Sequence, residues 1–194
     1  MRVRELAHRF RNIVSVTRSL VGQTLRSATS LEEARSVTDE RLAALDGAVD
    51  LLLSANWQPA PLEQIIGRAL ATFAGFDQRV RVEGPPVPVG SSTALTLALA
   101  VHELVTNAIK YGALSTDTGV IELTWQIIAS DKPELSMLWE ERGGPAVARP
   151  EREGFGTRLI CTAVSRGLRG RAELDYPETG VTWTLVAPLA AIAV

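Results

Sequence analysis

The stretch VHELVTNAIKYGALS, residues 101–115, gathers Glu103, Asn107 and Lys110 within eight positions. On a helical wheel at about 100° per residue, Asn107 lies about 40° from Glu103 and Lys110 about −20° from it. Leu97, Val101, Leu104, Val105 and Ala108 occupy an arc about 100° to 200° away. Such a helix has a core side and a polar row offering a carboxylate, a neutral amide oxygen and a cation. That set suits Mg²⁺, which prefers oxygen ligands and keeps waters and phosphate oxygens in its shell, with the lysine neutralising phosphate charge. A solvated helix face is the plainer reading of the same spacing.

Two further stretches add to it. LWEERGGP, residues 138–145, puts Glu141 at a strand end just before Gly143 and Gly144. GFGTRLI, residues 154–160, places Gly154 and Gly156 before a helix, with Thr157 as its expected cap. Glycines allow close backbone approach, and a helix N-terminus offers free N–H groups to phosphate oxygens. Between them runs a connection rich in Gly, Pro and charge, a candidate lid over a bound ligand. Trp139 reads equally as a core aromatic, His102 as a packing or capping residue, and Arg142, Arg149, Arg152 and Arg158 as phosphate clamps or as solvated charge.

These residues need elements to position them. Val3, Leu6, Phe10, Ile13, Val14, Val21 and Leu25 repeat at helical spacing over residues 2–27. After a turn, Ser30 stands three residues before Glu33, a capping-box signature. Leu31, Leu42, Leu45, Val49, Leu52 and Leu53 then carry a second apolar stripe. The spacing predicts a helical hairpin whose stripes must meet the rest of the chain or a second copy. Pro59 and Pro61 mark a boundary. Beyond it, PLEQIIGRALATFA is predicted helical, RVRVEG a strand, 91–112 a long helix, and GVIELTWQIIA, ELSMLWEE, RAELDY and GVTWTLVAPL strands. The fold class expected is α+β: an antiparallel hairpin over residues 1–57, then an α/β sandwich over 62–194, a mixed sheet with helices on one face.

Composition narrows the partners. A net charge of −2 gives no footprint for nucleic acid or an anionic membrane. No apolar run is expected to reach membrane-spanning length, and the charged N-terminal stretch is unlike a secretory signal, so the chain reads as cytoplasmic. Cys161, a single cysteine, has no partner for a disulfide and reads as a small core residue.

With four motifs in this order, the sequence resembles the HWE subgroup of two-component histidine kinases. The name reflects a histidine in the asparagine-box helix, here His102, and a Trp-x-Glu pair, here Trp139 and Glu141. ELAHRFRNIVSVTRSL, residues 5–20, resembles the phosphoacceptor box. The resemblance implies a Bergerat-type ATP-binding fold, Asn107 as Mg²⁺ ligand, Glu141 accepting a hydrogen bond from the adenine amine, Gly154 and Gly156 shaping the lid, and His8 as phosphoacceptor. On the wheel His8 faces away from the apolar stripe, as exposure to an incoming phosphoryl group requires. Arg9 stands where many such kinases carry an acid, so Glu5 and Asn12 are the nearest groups to orient the ring.

The implied function is an ATP-dependent protein-histidine kinase core. Its implied cofactors are ATP and Mg²⁺, with His8, Asn107 and Glu103 in the catalytic set and Asn107, Lys110, Glu141, Gly143, Gly154, Gly156 and Thr157 at the nucleotide. A phosphotransfer adaptor that relays phosphate without ATP is the alternative. Implied partners are a response-regulator receiver domain, a second copy through the hairpin, and a sensor. The sensor is expected either as a domain missing from an excised core or as a separate protein.

Overall fold

The computed structural model describes residues 2–54, 56–73, 75, 78–147 and 155–193. Within helical residues 2–27 the side chains of residues 2–6, 8, 9, 12, 23 and 27 lie outside the description, as does that of Phe155.

Two long helices, α1 (Arg2–Ser27) and α2 (Leu31–Ser54), form the hairpin. Its turn is held as the sequence anticipated, with one shift. The Glu33 N–H donates to Ser30 Oγ at 3.1 Å, but the Glu33 carboxylate reaches back to Thr29, accepting from its N–H at 2.7 Å and its hydroxyl at 2.6 Å. The stripes are narrower than the spacing suggests. Leu20, Leu45 and Leu52 are buried, whereas Leu31 is 84% and Phe10 66% exposed, and Val14, Leu25 and Leu53 also face outward. The hairpin meets the rest of the chain along one seam, and these apolar side chains lie outside it.

After the two-residue strand β1 (Ala60–Pro61) come helix α3 (Leu62–Leu70) and strands β2 (Val80–Glu83) and β3 (Pro88–Val89), the last paired with β1. The long helix α4 (Ser91–Lys110) ends in a 3₁₀ turn, Ala113–Ser115. Strands β4 (Val120–Ile128) and β5 (Glu134–Arg142) follow. A short helical turn, α5 (Phe155–Thr157), runs into a π-helical segment, Arg158–Ala163, and then α6 (Val164–Gly167). Strands β6 (Arg171–Asp175) and β7 (Thr182–Pro188) and helix α7 (Leu189–Ile192) complete the chain.

The main sheet has the order β2-β4-β5-β7-β6, with β2 parallel to β4 and every other pairing antiparallel. Alternate residues of the central strands are buried: Ile121, Leu123 and Trp125 on β4, Leu135, Met137 and Trp139 on β5, Trp183, Leu185 and Ala187 on β7. That period of two marks one covered face. The fold is the expected α+β arrangement of a mixed sheet and helices.

Helix α4 corrects one expectation. By length and composition its 20 residues could cross a membrane, but 72% of that window is buried inside the fold. It is a core helix, apolar on most sides because α3, the sheet and the hairpin all pack near it. Thr157 corrects another: it sits inside helical backbone at φ −57°, ψ −43° and makes no side-chain cap bond, because the helix has already begun at Phe155.

Removing side-chain volume at the centre should therefore cost far more than at the hairpin's outer face. Leu104→Ala, at a residue 2% exposed, is expected to lower the unfolding free energy by about 2–5 kcal/mol, and Leu31→Ala by less than about 0.5 kcal/mol. Urea denaturation of the two variants measures both.

Candidate functional site

Glu141 ends β5 on its buried face, two residues after Trp139, and that spacing puts both side chains on the same side of the sheet. Trp139 is fully buried opposite Trp183 of β7, as a core aromatic, and its indole N–H also donates to Glu141 Oε1 at 3.1 Å. The Ala113 N–H donates to Glu141 Oε2 at 2.8 Å, tying the strand end to the turn after α4. Burial pushes the Glu141 carboxyl above the ordinary carboxylate range, and the bonds from Ala113 and Trp139 oppose that rise.

The close approach depends on glycine. A Cβ on Gly112 would lie 2.0 Å from Glu141 Oε2, and one on Gly144 2.6 Å from the Ala113 Cα. Gly143 adopts φ +73°, the left-handed region that favours glycine. Gly144 belongs to the glycine pair singled out after Glu141, whereas Gly112 and the Ala113 amide carried no catalytic signal in the sequence, although a glycine just past a helix end is a recognisable stop. Arg79 was missed altogether: its guanidinium donates to the carbonyls of Gly119 at 2.7 Å and Ala113 at 3.2 Å, fixing the same turn.

The other cluster lies on the hairpin side of α4. Gly156 approaches the polar row so closely that a Cβ there would sit 2.8 Å from Glu103 Oε2 and 3.5 Å from Asn107 Nδ2. Gly156 and the asparagine helix, about fifty residues apart in sequence, are thus brought together. Asn107, Lys110, Gly156, Glu33 and Glu40 line a cleft of about 240 Å³ between α4 and the hairpin turn. Asn107 is half-buried and Lys110 exposed, while Glu33 is held below the ordinary carboxylate range chiefly by its bonds to Thr29.

Glu103 does not share their exposure. It is 5% exposed and forms a two-pronged ion pair with Arg41 of α2, Nε to Oε1 at 2.5 Å and Nη2 to Oε2 at 2.8 Å. A solvated helix face is therefore excluded at this residue, and both carboxylate oxygens are engaged by the hairpin. His102, one position earlier, is buried against Phe73 with ring centroids 5.0 Å apart. Burial lowers its pKa, keeping the imidazole neutral near pH 7, and Nδ1 has no hydrogen-bond partner among the described residues.

The remaining expectations divide. His8 lies within α1, but its side chain and those of Glu5 and Asn12 are outside the described residues, so the expected outward direction of the ring is too. Gly154, Arg149 and Arg152 also fall outside them. Arg142 is committed to Glu122 and Glu140, at 3.6 and 3.4 Å, and Arg158 is exposed. Among the described residues no group of three or more His, Cys, Asp or Glu could hold a metal. The donor set still fits Mg²⁺: that ion commonly takes one or two protein oxygens and completes its shell with water and phosphate. Asn107 offers one such oxygen beside the space that only a glycine at 156 leaves open.

The architecture is that of histidine kinases. The histidine kinase domain of a blue-light-activated histidine kinase from Erythrobacter litoralis aligns over 93% of this chain and 97% of its own, with a TM-score of 0.62 at 20% identity. A longer structure of that Erythrobacter litoralis kinase aligns over 96% of this chain and 59% of its own, with a TM-score of 0.65. Residues 5–86 match the family model described as HWE histidine kinase. A blue-light-activated histidine kinase of Brucella anthropi is 38% identical over 190 residues, 97% of this chain and 39% of the relative. That of Brucella ovis is 41% identical over 189 residues, 96% of this chain and 38% of the relative. The chain thus spans about two fifths of the length of these relatives.

The buried carboxyl generates a pH prediction. A carboxyl with a folded-state pKa above its unfolded value contributes stability that is full below the unfolded value and is lost as pH rises through the folded one. Stability relative to Glu141→Gln should therefore shift in favour of the glutamine variant as pH rises from about 4 to about 8. Thermal unfolding of both proteins across that range tests it; a constant difference would mean an unperturbed carboxyl.

Proposed function

We propose that this chain is the core of an ATP-dependent protein-histidine kinase that phosphorylates His8 and passes the phosphoryl group to a response-regulator aspartate. The observation that carries the reading is the convergence on one helix end of motifs remote in sequence: Gly156 against Asn107 on one side, Glu141 against Ala113 on the other. Residues 1–57 would serve as phosphoacceptor and dimerisation hairpin, and residues 62–194 as the catalytic ATP-binding unit. The cytoplasm, where ATP and receiver domains meet, is the proposed compartment.

In this reading Glu141, fixed by Trp139 and Ala113, keeps further lone pairs for the adenine amine, and its buried setting makes recognition selective. Gly112, Gly143 and Gly144 let the base approach the backbone. Asn107 would hold Mg²⁺ and Lys110 would neutralise phosphate charge, with Gly154, Gly156 and Thr157 at the phosphate side. Mg²⁺, when bound, would supply positive charge against the charge developing on the transferring phosphoryl group. A neutral His8 ring nitrogen attacks the γ-phosphorus: the P–N bond forms as the bond to the ADP oxygen breaks, and the ring gives up its proton. Catalysis is then mainly positioning and charge neutralisation, which needs few protein groups in contact with the phosphoryl.

Three variants test this assignment. Asn107→Ala should abolish incorporation of label from γ-labelled ATP into acid-labile, alkali-stable phosphate while circular dichroism stays unchanged; retained labelling with ordinary Mg²⁺ dependence would remove Asn107 from the site. Glu141→Ala should weaken ATP binding by about 1–3 kcal/mol and blunt the preference for ATP over GTP, as titration calorimetry would read. His8→Gln should lose all label yet bind ATP as the parent does; persistent acid-labile label would move the acceptor elsewhere.

A further inference from the structure

Arg79 stands just before β2, and its carbonyl accepts from the Ile121 N–H at 2.8 Å, which fastens its backbone to the main sheet. From that anchor the guanidinium reaches the turn after α4. Nε donates to the Gly119 carbonyl at 2.7 Å, and Nη2 to the carbonyls of Thr116 at 2.5 Å and Ala113 at 3.2 Å. Three carbonyls of one turn thus face a single planar fork, and charge-assisted bonds of this kind are about twice as strong as neutral ones. None of the three bonds goes to Glu141 itself.

Ala113 carries the hold onward to the site. It is 1% exposed, and its carbonyl accepts from Arg79 while its N–H donates to Glu141 Oε2 at 2.8 Å. The turn has little slack. A Cβ on Gly119 would lie 1.9 Å from the Ala113 carbonyl oxygen, and the Thr116 hydroxyl lies 3.0 Å from the carbonyl oxygens of both Ala113 and Gly143. Gly143 follows β5 directly, so the same network closes on the strand end that bears Glu141. Burial raises the Glu141 carboxyl, and of the two bonds opposing that rise the one from Ala113 counts for more.

On the kinase reading above, in which Glu141 accepts from the adenine amine, we propose that Arg79 is a positioning residue for nucleotide selectivity: it holds the Ala113 carbonyl and so aims the N–H of the same residue at Glu141. Selectivity for adenine needs an ionised carboxylate that points in one direction. Guanine carries an oxygen where adenine carries its amine, and a fixed carboxylate repels that oxygen. Without the Ala113 donor the acid is free to turn, and burial holds a proton on it more tightly. A protonated carboxyl can donate to the guanine oxygen. ATP then loses a partner while GTP loses an opponent.

Calorimetric titration of the full chain with ATP and with GTP, in the presence of Mg²⁺, tests this. Arg79→Gln is expected to narrow the ratio of ATP to GTP affinity on the order of tenfold, and Arg79→Lys, which keeps the charge but lacks the fork, by less. Arg79→Lys also carries the test if Arg79→Gln fails to fold. In a Glu141→Ala background Arg79→Gln should change neither affinity further, because the group it aims is gone. A lowered Tm with the parent's selectivity would overturn the proposal and leave Arg79 a brace for the fold alone. An equal loss of ATP affinity with and without Glu141 would overturn it too. Full preference for ATP in Glu141→Ala by itself would instead overturn the adenine reading, and this assignment with it.

Discussion

Everything in this molecule is arranged around the burial of one helix. Ser91–Lys110 is apolar around most of its circumference and is covered by the sheet, by Leu62–Leu70 and by the hairpin. Yet it also carries Glu103, and a carboxylate cannot enter such a setting alone, because removing it from water without a partner costs several kcal/mol. Arg41 supplies that partner from another helix, at 2.5 and 2.8 Å. The hairpin is therefore not merely appended: its second helix completes the charge balance of the helix that bears the candidate site.

The Trp-x-Glu pair follows a similar logic on the opposite side. Residues two apart on a strand share a face, so Trp139 and Glu141 are both drawn into the core by the pleat. The indole fills the space beside Trp183 and turns its N–H toward the carboxylate, while the Ala113 amide approaches from the turn. A buried carboxylate with two fixed donors retains acceptor capacity in a defined direction. Such a carboxylate could accept from a small donor on a ligand, as proposed for Glu141, and the shared face accounts for the packed aromatic and the acid standing as a pair.

The two faces of α4 are linked by its length and by its end. Asn107 accepts backbone bonds through its carbonyl from Tyr111 and Gly112, and Gly112 leads directly to the amide that holds Glu141. The polar row and the acidic strand end are therefore connected through about two turns of backbone, with Arg79 bracing the turn from outside. Rigid connections of this kind hold chemical groups in register better than loops do, since neither end moves without the other.

Much of this was legible in the sequence. The hairpin, the long helix and the five strands of the main sheet follow from periodicity, because the spacing of apolar residues reflects which face meets a core. Asn107, Glu141 and Gly156 stood out because an amide oxygen, an acid and a bare backbone at those places imply ligand chemistry. What periodicity could not give was the partner of each surface. It assigned Glu103 to an open polar row, whereas a residue on another helix, sixty-two positions away, buries it. It counted Leu31 and Phe10 in apolar stripes that the seam never reaches, and it read Thr157 as a cap although the helix begins earlier. Arg79 and the Ala113 amide had no signature, since their role lies in which carbonyl or carboxylate they meet. A sequence specifies the character of each face through local spacing; which faces come together, and so which charges are paired, is decided by packing between remote segments.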